Sequence, residues 1–321
     1  MSRLTVLLPE RARFGGQRFG EDFGRRLGRA ERSVEAADQA ARVFDILPRG
    51  WPVAAVSRQR DVGDGAHGAW LRADPAYVRP DINGARLLAY GAALSLNERD
   101  SAALLPALRP LFGDAGFPID APVPTRWYLS LPRESRLPRF AAPEQALGED
   151  MFQHLPGVQT APGEGEGSEG RRWRALLSEA QVVLHNHPHN AQRIAAGLAP
   201  INSLWFWGAG VLPDHVRTTY TRMFSDDEAL IAFGAQAGIV VSALPAQWVA
   251  DPANEGETLL DLRGARDLTP LQRDWLEPIA SALDSGALDR LALAFADGER
   301  FELVRSQRWR FWRKPLRSLL D

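Results

Sequence analysis

Apolar and polar residues alternate along the chain with two different periods. In one segment the apolar residues recur at steps of three and four, as on one face of a helix: Trp173, Leu176, Leu177, Ala180 and Leu184. Residues 203–207, Ser-Leu-Trp-Phe-Trp, are almost continuously apolar and aromatic, which predicts a buried strand. Helical and strand patterns that follow one another in this way are typical of α/β proteins.

The same two patterns occur elsewhere in the chain. Residues 97–112 predict a further helix, and strands are predicted at 4–8, 53–56, 126–131, 291–295 and 301–305. The last two flank Asp297-Gly298, which is a hairpin signal. We therefore predict an α/β fold, with a mixed sheet that is flanked by helices and carries an antiparallel edge.

One stretch of the chain has the composition of a linker. Residues 161–170, Ala-Pro-Gly-Glu-Gly-Glu-Gly-Ser-Glu-Gly, are acidic and rich in glycine, which favours a flexible connection. A length of 321 residues is enough for about two domains. We accordingly predict an N-terminal α/β region at 1–160 and a C-terminal α/β region at 171–321.

The densest group of polar residues lies in the C-terminal region, between the helix and the strand described first. Pro188 stops the helix and places His187 and His189 on a bend. Asn190 is a suitable cap for a short second helix that Gly197 would end. After the strand, Gly208-Ala-Gly210 predicts a tight turn whose N–H groups would face a ligand.

Side chains around this bend suit an anionic ligand. Arg193 presents a rigid fork of donors, and Asn190 and Asn202 add neutral donors, so together they can hold a phosphate or a carboxylate. The structural alternative is that they tie the bend to neighbouring carbonyl groups. Zinc binding by the histidines is disfavoured, because Pro188 breaks the helical i, i+4 spacing and no carboxylate motif completes a site.

These residues carry a resemblance to a known group of enzymes. The run His187-Pro-His-Asn190, Arg193, Gly197, Pro200-Ile-Asn202, Ser203 and Leu204-Trp-Phe-Trp-Gly208 resembles a segment of the archaeal-type cofactor-independent phosphoglycerate mutases, of the alkaline-phosphatase superfamily. Most of the chain resembles the bacterial RpfE-type regulatory family, usually described as predicted phosphoglycerate mutases. Further residues fit that family: Leu71-Arg-Ala-Asp-Pro75, Arg126-Trp-Tyr-Leu129 and Trp309-Arg-Phe-Trp312.

The resemblance implies a fold and a set of ligand-binding residues. The fold would be an alkaline-phosphatase-like core remnant with an inserted α+β subdomain. The ligand would be a small phosphorylated or carboxylated compound, and the residues expected to contact it are His187, His189, Asn190, Arg193, Asn202, Ser203, Gly208, Gly210, Asp74 and Arg126. A protein partner is also compatible with a regulatory family.

The sequence departs from the enzymes where catalysis requires metal ligands. Phosphoryl transfer in that superfamily resembles a two-metal mechanism with clustered Asp and His ligands. Its first strand ends in Asp-Gly, whereas residues 4–8 are followed by Pro9-Glu10, and no Asp-x-x-Gly-His motif follows Gly210. We therefore expect no cofactor and a lost catalytic centre. The alternative is an active mutase or phosphatase with a divergent Mn²⁺ or Mg²⁺ site.

The composition of the chain limits which binding partners and which cellular compartment we expect. The net charge is −2, so overall electrostatics attract neither nucleic acid nor an anionic membrane. The absence of cysteine excludes disulfides and thiolate chemistry. No apolar run approaches the roughly 20 residues needed to span a bilayer, and the N-terminus lacks the apolar segment of a signal peptide. We expect a cytoplasmic protein without a transmembrane segment.

Two basic segments leave alternatives open. Residues 305–317 interleave six cations with three aromatics, which can stack on nucleobases or lie at a membrane surface. We favour a tail docked by its aromatic rings with solvated arginines. Arg25, Arg26, Arg29 and Arg32 similarly form either a phosphate-binding face or, as we favour, a solvated side of a helix.

Overall fold

The computed structural model describes residues 2–35, 39–82, 84–158, 167–249 and 256–320. Its α-helices are α1 Glu21–Arg29, α2 Val53–Asp61, α3 Glu98–Asp114, α4 Pro143–Ala146, α5 Ser168–His185, α6 Pro188–Ala195, α7 Glu228–Gln236, α8 Leu268–Leu271 and α9 Glu277–Ser285. A π-helical turn, Gln272–Leu276, joins α8 to α9. In the described part of the chain, no helix combines the length and the apolarity needed to cross a membrane.

The strands follow the chain from its first described residue to the hairpin near its end. They are β1 Ser2–Leu8, β2 Glu31–Val34, β3 Asp45–Leu47, β4 Ala69–Asp81, β5 Gly84–Tyr90, β6 Ile119–Val123, β7 Arg126–Leu131, β8 Ser203–Val211, β9 His215–Arg217, β10 Arg222–Phe224, β11 Val240–Ser242, β12 Gly256–Asp261, β13 Arg290–Phe295 and β14 Glu299–Val304. The predicted strands at both chain ends and the Asp297-Gly298 hairpin are confirmed.

The chain divides into two compact units. Unit 1 consists of Met1–Leu47 and His215–Asp321, and unit 2 of Pro48–Asp214. This division differs from the predicted one, which placed the break at residues 161–170. The first part of that stretch, to residue 166, lies outside the described residues, and its end opens helix α5 at Ser168. Composition marks a connection but not whether it separates two bodies, which depends on contacts distant in sequence.

Unit 1 is built on a mixed sheet. Among the described residues this sheet has seven strands in the order β11-β10-β12-β1-β13-β14-β2. The strands from β11 to β13 run parallel to one another. Strand β14 pairs antiparallel with β13 on one side and with β2 on the other. Parallel strands covered on both faces require continuous apolar runs, and β1 meets that requirement with the consecutive residues Val6, Leu7 and Leu8 all buried. The predicted class, a mixed α/β sheet flanked by helices, is confirmed.

Helices pack on the sheet of unit 1 through regularly spaced apolar side chains. Phe23 and Leu27 of α1 and Ile279 and Leu283 of α9 lie at helical spacing and join the same buried cluster as Val6. Because the strands from β11 to β13 run parallel, their carboxyl ends lie at one edge of the sheet. The residues that follow the neighbouring strands β10 and β12 are therefore close together.

Unit 2 is an α+β insertion between the two parts of unit 1. Strand β4 pairs antiparallel with β5, β7 and β8, and β6 pairs with β7. Residues 53–56, predicted as a strand, instead open helix α2. A short apolar run does not distinguish a buried strand from a buried helix, and here every residue of the run is buried beside the sheet.

Candidate functional site

The predicted bend lies between α5 and α6 in unit 2. Helix α5 ends at His185 and α6 starts at Pro188, the first-turn position that proline favours. The cap of α6 is His187, whose Nδ1 accepts a hydrogen bond of 3.2 Å from the main-chain N–H of His189. The prediction of Asn190 as the cap is therefore wrong, because the helix already begins at Pro188 and Asn190 lies inside its first turn.

Asn190 is buried and uses both ends of its amide. Its Nδ2 donates to the carbonyl oxygens of Leu184 at 2.7 Å and Ile201 at 2.8 Å. Its Oδ1 accepts from the N–H of Ile201 at 2.8 Å. These bonds tie α5, α6 and the segment before β8 together, which is the structural alternative to ligand contact.

Arg193 is also buried, and its guanidinium meets protein groups on every side. Nε donates to Ala199 O at 3.0 Å and Nη2 to Leu94 O at 2.6 Å. Nη1 lies 2.9 Å from Oδ2 of Asp100, whose Oδ1 is 2.7 Å from Nε2 of His189. The structure thus brings His189 and Arg193 together on one carboxylate of α3.

The Asp100 carboxylate is held in its charged form. Burial opposes ionisation, but hydrogen bonds from His189, the Asn97 N–H and Arg193 outweigh it and lower the pKa of Asp100. Sequence reasoning missed this residue because Asp100 reads as the third residue of a capping box, a role it also fulfils by accepting from Asn97 N at 2.9 Å.

Asn202 and Ser203 fix the start of β8. Asn202 accepts from Val78 N at 2.9 Å and donates to Val78 O at 2.7 Å, so its amide imitates a strand neighbour. The fully buried Ser203 hydroxyl accepts from Gln181 Nε2 at 3.0 Å and donates to Leu204 O at 3.2 Å. Both residues therefore anchor β8 to β4 and α5.

Asp74 lies in a buried ion pair. Arg72 stands two residues before it on the same face of β4, and its Nε and Nη2 each donate to the Asp74 carboxylate at 2.8 Å. Trp207 of β8 adds a hydrogen bond of 2.7 Å from Nε1 to Oδ2. Arg72 Nη1 also donates to the hydroxyl of Ser57 at 3.4 Å.

Arg126 belongs to the same polar network. It holds the Asp61 carboxylate through Nε at 2.7 Å and Nη2 at 2.8 Å. The Tyr128 hydroxyl bridges Asp61 at 2.6 Å and Ser57 at 3.0 Å. Burial raises the pKa of Tyr128, so the phenol stays protonated and donates. Asp74 and Arg126, predicted separately, are thus connected by a chain of hydrogen bonds. The intermediate residues are Arg72, Ser57, Tyr128 and Asp61, and none of them was predicted as a site residue.

Gly208 and Gly210 lie within β8 rather than in the predicted tight turn. The strand continues to Val211 with a register shift opposite residues 70–72 of β4. Gly208 has a φ of 66°, and a Cβ there would lie 2.9 Å from Val53 Cβ. A Cβ on Gly210 would lie 2.6 Å from Pro52 Cβ. Both glycines therefore permit close packing of β8 against the start of α2.

A cavity of about 740 Å³ borders this region of unit 2. One wall follows α5 and carries polar residues at steps of four, three and four: Arg174, Ser178, Gln181 and His185. The opposite wall is mainly apolar and includes Val78, Met151 and Phe152. Of the ten predicted ligand-binding residues, Asn202 lines this cavity.

A second group of polar residues lies at the carboxyl edge of the unit 1 sheet. The connections from β10 and β12 leave toward opposite edges of the sheet, so these neighbouring strands form a switch point, where α/β sheets commonly bind ligands. Asp261 ends β12, and Arg263 holds it through Nε at 2.7 Å and Nη2 at 2.9 Å. Nη2 also lies 3.2 Å from Asp227, and Ser225 donates to Asp261 at 2.8 Å.

This edge does not have the donor set of a two-metal site. A guanidinium occupies both oxygens of the buried Asp261 carboxylate, where a cation would need free lone pairs. Across the residues that the structure describes, no group of three or more His, Cys, Asp or Glu side chains is placed to hold a metal ion. The residues present therefore do not fit the pair of divalent ions that the resemblance implies.

The aromatic residues near the chain end do not dock as predicted. Trp309, Phe311 and Trp312 remain 59%, 69% and 76% exposed. The segment is instead held through Leu319, which is buried, and through main-chain hydrogen bonds to α1 and its flank. Aliphatic side chains near the end suffice for docking, so the larger rings stay at the surface.

Comparison with known proteins gives local similarity to phosphoglycerate mutases. No family model matches the chain. A probable 2,3-bisphosphoglycerate-independent phosphoglycerate mutase of Geobacter sulfurreducens is 38% identical over 71 residues, 22% of this chain and 16% of that protein. The Methanosarcina barkeri enzyme is 27% identical over 165 residues, 48% and 38% of the two chains, and that of Methanosarcina mazei 30% identical over 90 residues, 28% and 20%.

The matched regions span far less than two thirds of these relatives' own length. These local matches confirm a distant similarity to cofactor-independent phosphoglycerate mutases. The RpfE-type resemblance stays a prediction. A cofactor-independent phosphoglycerate mutase of Thermoplasma acidophilum aligns over 95% of this chain and 90% of its own, at 16% identity and a TM-score of 0.40. The PH0037 protein of Pyrococcus horikoshii aligns over 94% and 87%, at 9% identity and a TM-score of 0.44. Scores this low do not establish a shared fold.

Proposed function

We propose that the chain is a phosphoglycerate-mutase-like protein that binds a small phosphorylated or carboxylated compound and acts as a cytoplasmic regulator without two-metal catalysis. The observation that carries this proposal is the contact of Arg263 with Asp261 and Asp227 at the switch point of the unit 1 sheet. Two-metal transfer needs carboxylates that face cations. A divalent ion would have to displace a bidentate, charge-assisted pair.

The compound binds in the 740 Å³ cavity of unit 2. The polar row on α5 brings the charge of Arg174 and the polar side chains of Ser178 and His185 to one wall, which suits a carboxylate or phosphate, although Arg174 also donates to Pro156 O at 2.8 Å. The apolar wall excludes water from the remainder of the compound. Of the residues that resemble the mutases, Asn202 borders this cavity. The buried Asn190 and Arg193 act by holding the bend in place beneath it.

The proposal is tested by assaying turnover and binding on the same preparation. Purified protein is incubated with 3-phosphoglycerate and Mn²⁺ or Mg²⁺, and calorimetric titration with 3-phosphoglycerate follows. We expect no isomerisation above the protein-free blank, together with saturable binding. Turnover that a chelator abolishes would refute the loss of catalysis, and absence of binding would refute the ligand class.

Variants locate the binding site. Arg174→Ala and His185→Ala should each weaken binding of 3-phosphoglycerate by about tenfold, as expected for loss of one hydrogen bond to a charged group. Arg172→Ala removes the same charge as Arg174→Ala from the same helix, but Arg172 lies over the Phe117 ring and does not line the cavity. Its affinity should match that of the wild type.

A further inference from the structure

A groove in unit 1 is rich in arginine side chains. It has a volume of about 460 Å³ and lies between α1 and the 3₁₀ turn Arg305–Trp309 that follows β14. Its lining includes five arginines, Arg25, Arg26, Arg29, Arg305 and Arg308, and two acids, Asp22 and Asp284. The charge balance of this groove is therefore strongly positive although the whole chain is slightly acidic.

Two of these arginines are already neutralised. Arg26 holds Asp284 through two hydrogen bonds, of 2.7 and 2.5 Å, and this pairing lowers the pKa of Asp284. Arg25 pairs with Glu21 and Asp22 along its own helix. Asp22 and Asp284 thus form hydrogen bonds with Arg25 and Arg26. The remaining positive charge at the groove belongs to Arg29, Arg305 and Arg308.

Three arginines keep donors available at the groove. The guanidinium groups of Arg305 and Arg308 make no hydrogen bond or direct ion pair among the described residues, although both interact with the Asp284 carboxylate at longer range and help to lower its pKa. Nε of Arg29 is buried and likewise has no hydrogen-bond partner there, while its Nη1 donates to Arg308 O at 2.9 Å. Several unused N–H donors that converge on one groove suit the oxygens of a phosphate group.

Aromatic rings border the same groove. The Arg29 guanidinium lies 5.4 Å from the Phe311 ring centroid, and that of Arg308 lies 4.7 Å from the Trp309 ring. The exposure of these rings is not caused by a detached segment. Leu316 N donates to Gly24 O at 2.9 Å, which holds the main chain on α1.

We propose that this face of unit 1 binds an anionic phospholipid surface, with a headgroup phosphate in the arginine groove and Trp309, Phe311 and Trp312 in the interfacial layer. Clustered cations attract anionic headgroups, and tryptophan favours the membrane interface. The exposed rings favour a lipid over a free phosphate, which would leave them uncovered. Trp309 and Phe311 meet at 77°, so they do not form the parallel platform on which consecutive bases stack.

Vesicle sedimentation tests this proposal, which is independent of the ligand proposed for unit 2. We expect binding at low salt to mixed phosphatidylcholine–phosphatidylglycerol vesicles and none to phosphatidylcholine alone. Arg305→Glu combined with Arg308→Glu should lower partitioning by at least about tenfold. Arg60→Glu combined with Arg109→Glu makes the same charge change at exposed positions of unit 2 and should retain wild-type partitioning.

A second variant separates the apolar contribution from charge. Trp312→Ala alters a side chain that is 76% exposed, so folding should be unaffected, and partitioning should fall by about threefold or more. The proposal is overturned if mixed vesicles do not bind, or if the charge reversal leaves partitioning unchanged. Saturable binding of inorganic phosphate or of single-stranded RNA without binding to vesicles would overturn it as well.

Discussion

The guanidinium of Arg72 and the carboxylate of Asp74 meet inside unit 2 through two hydrogen bonds of 2.8 Å, with each side chain only 1% exposed. Removing one partner leaves an uncompensated buried charge. Asp74→Ala should therefore lower the free energy of unfolding by about 3–5 kcal/mol, measured by urea denaturation. A change well below that range would show that water or another group replaces the carboxylate.

A double variant and a surface pair provide the controls. Arg72→Met combined with Asp74→Leu removes both charges and should recover most of the lost stability, because no unpaired ion remains. Asp81 pairs with Arg86 at the surface, where solvent screens the attraction. Asp81→Ala should leave urea denaturation unchanged.

Asn190 is a buried neutral side chain whose hydrogen bonds hold the bend between α5 and α6. Asn190→Ala removes three hydrogen bonds and takes away the partner of the Ile201 N–H and C=O groups, whereas Leu184 O still accepts from His187 N. We expect a loss of about 2–4 kcal/mol in unfolding free energy. Asn186→Ala removes one exposed hydrogen bond to Val182 O and should cost about 0.5 kcal/mol or less. Equal effects of the two substitutions would contradict the tie at the bend.

Local chemistry in the sequence predicted the elements better than the site. Asn97 caps α3, Pro188 stops α5 and Asp297-Gly298 turns the last hairpin, because each signal acts on neighbouring residues. Helix α2 was missed because its apolar start is compatible with either state. The resemblance implied an inserted α+β subdomain, but its bounds were not predicted, because Leu47 and His215 become neighbours only through the pairing of β3 with β9.

The candidate site was less predictable because polar residues near a motif have two uses. Asn190, Arg193 and Asn202 were identified by type, but apart from the contact of Arg193 with Asp100 their partners are main-chain groups, which carry no sequence signal. Asp100 was not predicted because its partner Arg193 is distant in sequence and reaches it only in the folded chain. Asp261 was not predicted because its partner Arg263 follows the end of β12, where no motif marks the pair. Spacing alone does not distinguish a ligand-binding arginine from a structural one.

Gly28 tests how the chain end is held. A Cβ at this position would lie 2.0 Å from Lys314 O, with the backbone rather than a flexible side chain in its path. Gly28→Ala should loosen the chain end by about 1–3 kcal/mol, seen as faster hydrogen exchange at the Leu316 amide. Gly16→Ala meets no atom within 4 Å and should leave exchange at Leu316 unchanged.

His187 should make the bend sensitive to acid. Burial, with a smaller effect of His189, lowers the pKa of His187 below its ordinary 6.5, and its Nδ1 must be unprotonated to cap α6. Its contribution is therefore present above pH 6.5 and is lost as pH falls through the lowered pKa. His187→Asn should flatten the fall in unfolding free energy between neutral and mildly acidic pH by about 1 kcal/mol or less.

Direct titration with Mn²⁺ tests the central claim that Arg263 occupies the Asp261 carboxylate at the switch point of the unit 1 sheet and leaves no two-metal site there. Electron paramagnetic resonance at room temperature reports free Mn²⁺, so binding appears as a loss of signal. We predict that equimolar protein leaves the Mn²⁺ signal unchanged. Stoichiometric loss of signal that Asp261→Asn abolishes would contradict the account.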